Sequence, residues 1–300
     1  MQSTTVADGT RVTMAGHELV FGQNIFMPRD ANDIAGDMTA LHARIEEDGY
    51  LLIRDFYDRD AIMAARADIL SFLSAEGLLD PDAPPEEGVI GPENEGAVLR
   101  NEVVVNMQAY LRVVNSERIM AFFEQFLGGP ALTLDHKWPR AVRRGQSTGA
   151  HYDVVFMGAG TKELYTVWTP LDDLSLEMGT LAFCPGSNKL DALRRTYGAA
   201  DAHNDMTEGH LSRNPLELID ILDVKWSSTP FRAGDVMIFG MYFLHGSLDN
   251  VSNRYRLSTD NRYQLASEPV DERHMGPHPD QIPKAENRKT MAEMREKWGI

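Results

Sequence analysis

A single cysteine in 300 residues, Cys184, excludes an internal disulfide and any cysteine-rich zinc site. No apolar run approaches twenty residues, and the opening MQSTTVADGTRV lacks a basic segment followed by an apolar one. Neither a membrane span nor a secretory leader is therefore expected. Positive charge is scarce: 29 Lys and Arg face 45 Asp and Glu, a net charge of −16. Such a surface repels phosphodiester backbones, which argues against nucleic acid as a partner. Also missing are a G-x-x-x-x-G-K-[ST] loop, an H-E-x-x-H helix and a glycine-rich turn between strand and helix. What remains is the expectation of a soluble, cytoplasmic protein with no membrane partner. Its 43% hydrophobic and 25% charged residues are an ordinary globular balance, enough for a core without covalent staples.

Helical patterns come first. Residues 31–58 read as a helix with apolar positions at Ile34, Met38, Leu41 and Ile45, a break at Gly49, then the strand-like YLLIRDF. Residues 59–79 form a second amphipathic pattern, and SERIMAFFEQFLGG a third, with Ser116 in the N-cap position. After Gly129 the texture turns to short β-rich runs: ALTLDHKW, AHYDVVFM, LYTVWTPL, GTLAFCPG, DVMIFGMYFLHGS and RYRLSTDNRYQLA. A polar excursion over 187–230 interrupts them. The order predicts one α+β, mainly β domain: a largely helical part over 1–128, an antiparallel barrel or sandwich over 129–266, and a tail over 267–300. In that tail Met291, Met294 and Trp298 make one helical stripe, expected to pack on the parent domain.

Two constellations compete for the chemistry. GQSTG (145–149) matches the serine-hydrolase G-x-S-x-G, and the chain order Ser147, Asp235, His245 suits a triad. The elbow needs a helix after the serine, however, and AHYDVVFM reads as a strand. The stronger set begins in that run. His151 and Asp153 stand two apart, and a strand would place both on one face among apolar neighbours. His245 ends another apolar run. Two imidazoles and one carboxylate are the donor set of a facial triad for non-heme iron. Of the nine histidines, those in the polar contexts DAHNDM, EGHLS and ERHMGPH read as solvated. Beyond His245, Arg256 and Ser258 alternate on one strand face, a guanidinium and hydroxyl suited to a carboxylate.

The ordered set TGAHYD, LYTVWTPLDD, MGTLAFCPGSN, AGDVMIFG and LHGSLDNVSNRYRLSTDNRYQ resembles the phytanoyl-CoA dioxygenase family of Fe(II)/2-oxoglutarate oxygenases. The resemblance covers residues 138–264. It implies a double-stranded β-helix (a cupin-like jelly roll) with N-terminal helices packed around it. It further implies iron held by His151, Asp153 and His245, and 2-oxoglutarate bound through Arg256 and Ser258. Trp168, Thr180 and Lys137 are candidates to border the cofactor. Asn188 stands where the family often has histidine. Retention of Asp153 implies hydroxylation rather than halogenation, since halogenating relatives carry a small residue there.

The expected activity is oxidation of a C–H bond of a small metabolite with O2, 2-oxoglutarate being decarboxylated to succinate; ascorbate would sustain it. Arg140, Arg143 and Tyr152 are candidate substrate contacts, with Arg144 in the same basic cluster, and an anionic substrate would follow if an arginine of the cluster pointed inward. No lysine cluster suits the phosphates of coenzyme A. Residues 78–97 and 187–230 are candidate lids. The alternatives are the Ser147 hydrolase and a family member that binds without catalysis.

Overall fold

The computed structural model describes residues 5–92, 99–276 and 288–299. Parts of two segments singled out above, 93–97 and 277–287 with His278, lie outside the described residues. In chain order the first half carries β1 (Arg11–Met14), β2 (His17–Val20), β3 (Ile25–Phe26), α1 (Met38–Asp48), β4 (Tyr50–Ile53), α2 (Arg59–Ala75), α3 (Asn101–Val104), α4 (Gln108–Val114) and α5 (Glu117–Leu127). There follow β5 (Ala131–Thr133), β6 (Trp138–Val142), α6 (Val154–Met157), β7 (Tyr165–Pro170), β8 (Leu181–Phe183), α7 (Asp191–Arg195) and α8 (Pro215–Leu222). The chain closes with β9 (Trp226–Ser227), β10 (Val236–Gly240), β11 (His245–Ser247), β12 (Arg256–Leu265) and α9 (Met291–Trp298). No helix among the described residues is long and apolar enough to cross a membrane.

Two sheets make the jelly-roll core. The larger has the order β4-β10-β7-β12-β5, with β6 also paired to β12, and the smaller β11-β8-β9-β3. All pairs in the larger sheet are antiparallel. Strand β12 organises the molecule, because its ten residues serve two layers at once. Leu257 and Tyr263 belong to the core shared with the helices. On the same face Thr259 bonds Tyr110 Oη at 2.7 Å, and Tyr263 stacks on Phe123 of α5 at 4.7 Å. The alternate residues Arg256, Asp260 and Arg262 line the cavity between the sheets. Helix α5 is held by burial of Ile119, Phe122, Phe123 and Phe126, each contributing roughly 1.5–3 kcal/mol.

The structure corrects several expectations. Helix α1 begins at Met38, where the Asp37 carboxylate accepts the Ala40 N–H; Ile34 lies in a separate 3-10 turn. Ser116 occupies the cap position of α5, yet its side chain makes no capping bond. The first 30 residues hold a β-hairpin, β1–β2, that apolar periodicity does not reveal in so polar a stretch. The two sheets also recruit β3 and β4 from the N-terminal part. DVMIFGMYFLHGS is two strands, β10 and β11, in different sheets, because the chain turns at 241–244. The 187–230 excursion contains α7, α8 and β9, the last a strand of the smaller sheet. Most consequential, VVFM is not a strand but the single-turn helix α6. The tail stripe does pack on its own domain: Met291 and Met294 are buried in the core, and Arg295 pairs with Glu217 at 2.8 Å.

Candidate metal centre and its cavity

His151 and His245 meet because their backbones pair. The His151 N–H donates to the His245 carbonyl at 2.9 Å, and the His245 N–H returns the bond at 3.1 Å. The ring centroids stand 4.2 Å apart. Glycine permits this close approach: a Cβ on Gly246 would lie 2.6 Å from the Thr148 carbonyl oxygen. In each ring Nδ1 lies 2.9 Å from a carbonyl oxygen two residues earlier, that of Gly149 for His151 and Phe243 for His245. A carbonyl only accepts, so Nδ1 carries the proton and Nε2 keeps its lone pair.

Asp153 completes the set from an unexpected geometry. It precedes α6 with helical φ and ψ of −63° and −30°, so a helical turn rather than a strand pleat brings it back to the histidines. Its Oδ1 lies 3.6 Å from His151 Nε2 and 3.8 Å from His245 Nε2. Its Oδ2 accepts from Arg262 Nη2 at 3.2 Å and from the Thr166 hydroxyl. Arg262 and Thr166 are themselves register partners across β12 and β7. The three potential ligand atoms all fall within 4.8 Å of one another, while the remaining polar atoms of these side chains are tied to the protein. This is the division of labour a cation site requires: free atoms inward, orienting bonds outward.

Charge follows from burial and neighbours. Burial by itself would raise the Asp153 carboxyl, but the Arg262 guanidinium and the two histidines outweigh it and hold the group well below the usual carboxylate range. Burial, reinforced by His151, lowers His245 to about 4 despite Asp153. Burial also lowers His136 to about 4 and His210 to about 3. The unfolded chain takes up protons below about pH 6.5, whereas these folded imidazoles do not until much lower. Metal-free protein is therefore expected to be most stable above pH 6.5 and to weaken as pH falls toward 4, by about 3 kcal/mol for His245 alone. Urea midpoints measured from pH 7.5 to 4 check this, and a flat profile over that window would refute it.

The three groups sit in the wall of a cavity of about 290 Å³. Arg256 lines it too, and its state is unusual. The side chain is 3% exposed, no carboxylate lies within ion-pair distance among the described residues, and Nε has no hydrogen-bond partner. Its Nη1 donates to Ser258 Oγ at 2.7 Å. Burial lowers it to about 10, yet the guanidinium stays charged at neutral pH. Arg254, two residues earlier, is turned away to Asp172 at 2.9 Å. A buried, unpaired cation calls for an anion.

The remaining sequence candidates separate. Trp168 and Arg140 line the cavity; Lys137, Arg143, Arg144, Tyr152 and Thr180 do not. Lys137 is buried against Thr133 Oγ1 and the Leu134 carbonyl at 2.8 and 2.6 Å. Tyr152 donates to the Ser187 carbonyl, and Thr180 is bonded to Ser228. Arg140 is held by Asp260 at 2.9 Å. Of the candidate lids, 187–230 contributes His210 to the cavity wall and 78–92 contributes nothing. His210 and His274, read as solvated, are instead part of that wall, and His274 is 5% exposed. Arg262 is a further functional residue, signalled by alternation along 256, 258, 260 and 262.

The hydrolase arrangement does not form. Asp235 is engaged by Arg54 Nη1 at 2.7 Å and by the Asp55 N–H. Ser147 bonds Asp249, and His245 faces the Phe243 carbonyl and Asp153. Three side chains serve three different partners.

Comparison with known proteins agrees with this architecture. A relative, 1-deoxypentalenic acid 11-beta-hydroxylase of Streptomyces exfoliatus, is 28% identical over 250 residues, 79% of this chain and 85% of that protein. Among solved structures, the non-heme alpha ketoglutarate dependent epimerase SnoN from nogalamycin biosynthesis superposes with a TM-score of 0.56 at 20% identity, covering 85% of this chain and 93% of that one. EctD from S. alaskensis, in its apoform, gives 0.54 at 17% identity over 84% and 86%. These likenesses show the fold. The model of the phytanoyl-CoA dioxygenase (PhyH) family matches residues 45–258, and the chain is a member of that dioxygenase family.

Proposed function

We propose that the protein is an Fe(II)- and 2-oxoglutarate-dependent dioxygenase that hydroxylates a C–H bond of a small organic metabolite. One observation carries this reading. Two imidazole Nε2 atoms and one carboxylate oxygen converge, with their partner atoms tied off, in a cavity that also holds an unpaired buried arginine. The donor set fits a ferrous ion: nitrogen and oxygen ligands from three side chains leave half an octahedron open. The Arg256–Ser258 pair fits the distal carboxylate of 2-oxoglutarate. SnoN, of the same fold, has been crystallised with Fe3+ and alpha ketoglutarate.

When bound, iron and 2-oxoglutarate supply the oxidising chemistry, with succinate and CO2 as co-products. The chain supplies geometry. His151, Asp153 and His245 would hold the ion, Arg262 and Thr166 orient Asp153, and Arg256 anchors the cofactor. Phe156, Met157 and Trp168 keep the cavity wall apolar and exclude water.

Succinate release from 2-oxoglutarate by purified protein with Fe(II) and ascorbate tests the reading; iron-supplied, folded protein that never consumes 2-oxoglutarate would end it. Arg256→Leu is expected to raise the KM for 2-oxoglutarate about 10- to 150-fold, the equivalent of one lost charge-assisted bond. Its melting temperature should hold or rise, because among the described residues the cation has no carboxylate partner to lose. Ser147→Ala is expected to leave turnover unchanged.

A further inference from the structure

His274 comes from the segment after β12, beyond the residues matched to the family. It is buried, it lines the cavity, and among the described residues neither ring nitrogen has a hydrogen-bond partner. The Asp271 carboxylate stands 4.0 Å from Nε2, beyond hydrogen-bond distance, and the Phe156 carbonyl lies beside the ring without meeting hydrogen-bond geometry. Such a group costs stability in the free protein, and a functional role is one explanation for a buried polar group left without a partner. Its surroundings connect it to the metal centre. The His274 ring stands 5.3 Å from that of Trp138, the Arg262 guanidinium lies 4.4 Å over Trp138, and Arg262 bonds Asp153.

The charges on the cavity wall are already committed. Arg140 is held by Asp260 and Arg262 by Asp153. Arg256 is taken by the cofactor under the proposed function, on which this inference rests. Among the described residues no guanidinium of the wall is left for an anionic substrate, while Trp138, Phe156 and Met157 offer apolar surface. Burial lowers the His274 pKa, which keeps the ring in its neutral form with one donor and one acceptor.

We propose that His274 is a substrate-recognition residue that hydrogen-bonds a neutral hydroxyl or carbonyl oxygen on an otherwise apolar substrate, whose skeleton packs on Trp138, Phe156 and Met157. It sits one indole and one guanidinium from Asp153 and so registers the substrate against the reacting centre. The expectation of an anionic substrate asked for an inward arginine of WPRAVRRG; Arg140 does line the cavity, but it is held by Asp260.

The test uses holoenzyme with Fe(II) and 2-oxoglutarate under argon, titrated with cyclohexanol and with cyclohexanecarboxylate and read by ligand-detected NMR. Cyclohexanol is expected to bind more than about tenfold tighter, since the carboxylate would be buried without a cation. His274→Leu should weaken cyclohexanol about fivefold, the net worth of one neutral hydrogen bond, and His274→Gln should restore much of it. In His274→Leu the 2-oxoglutarate affinity should be unchanged and the melting temperature equal or higher, an outcome a merely structural histidine would not give. Equal or tighter binding of the carboxylate, no binding of either probe, an unaltered alcohol affinity in His274→Leu, or a sharp loss of stability there would each overturn the proposal. Failure of wild-type protein to bind 2-oxoglutarate would instead refute the proposed function, while the alcohol titrations still decide the role of His274.

Discussion

His245→Ala and Asp153→Ala are both expected to silence 2-oxoglutarate turnover, but only the second is expected to weaken the fold substantially. Each removes one of three converging ligand atoms. The loss of iron affinity should therefore exceed the about 10- to 100-fold typical of removing an orienting partner. Their structural costs differ because their other atoms differ. His245 gives up one bond to the Phe243 carbonyl. Asp153 is the counter-ion of Arg262, and both side chains are almost fully buried. Its removal strands a guanidinium in the cavity wall, at a cost of roughly 3–5 kcal/mol. Iron titration with succinate release, alongside urea melts, reads both arms. Substantial turnover in either variant would refute the triad, and equal stability of the two would refute the Arg262 pairing.

The second large effect is expected from Arg262→Leu, which touches neither metal nor cofactor in the proposed arrangement. Without the guanidinium, the carboxylate of Asp153 keeps only the Thr166 hydroxyl on Oδ2. Burial then acts with less opposition, and the Asp153 pKa rises from its depressed position. The direction of the consequence follows from competition between a proton and a metal for one carboxylate. A raised pKa means that protons win at higher pH, so iron binding should begin to fail at a higher pH than in wild type. Affinity at neutral pH should drop about 10- to 100-fold, with a stability loss of roughly 3–5 kcal/mol from the orphaned carboxylate. Iron binding measured from pH 5 to 8 checks the shift; profiles that superpose after scaling would show that Arg262 acts only on packing.

Most of this site was written locally, yet for partly different reasons than the sequence suggests. Arg256 and Ser258 share a face because β12 is a regular strand, and two-residue alternation announces that. The same rule extends to Arg262, whose relevance becomes visible only once β7 lays Thr166 opposite it. His151 and Asp153 do converge, but through the turn into α6. The β-branched run VVFM favours a strand by local propensity; packing of Val154, Val155 and Met157 into the core decides otherwise. The hairpin near the N-terminus is not legible in the sequence because its strands are four residues each and half-exposed, with little apolar alternation.

By itself the sequence determined the class of the fold and the identities of the chemical groups. Apolar periodicity separates helices from strands, and an imidazole, a carboxylate or a guanidinium is what it is wherever the chain carries it. Tertiary structure alone decided which of those groups lost their water together. It drew His274 and His210 out of polar stretches into the cavity wall and gave Arg262 to Asp153 and Arg140 to Asp260, while Arg256 received no carboxylate among the described residues. Burial and pairing are set by contacts between residues far apart in the chain, and no local pattern of hydrophobicity encodes them.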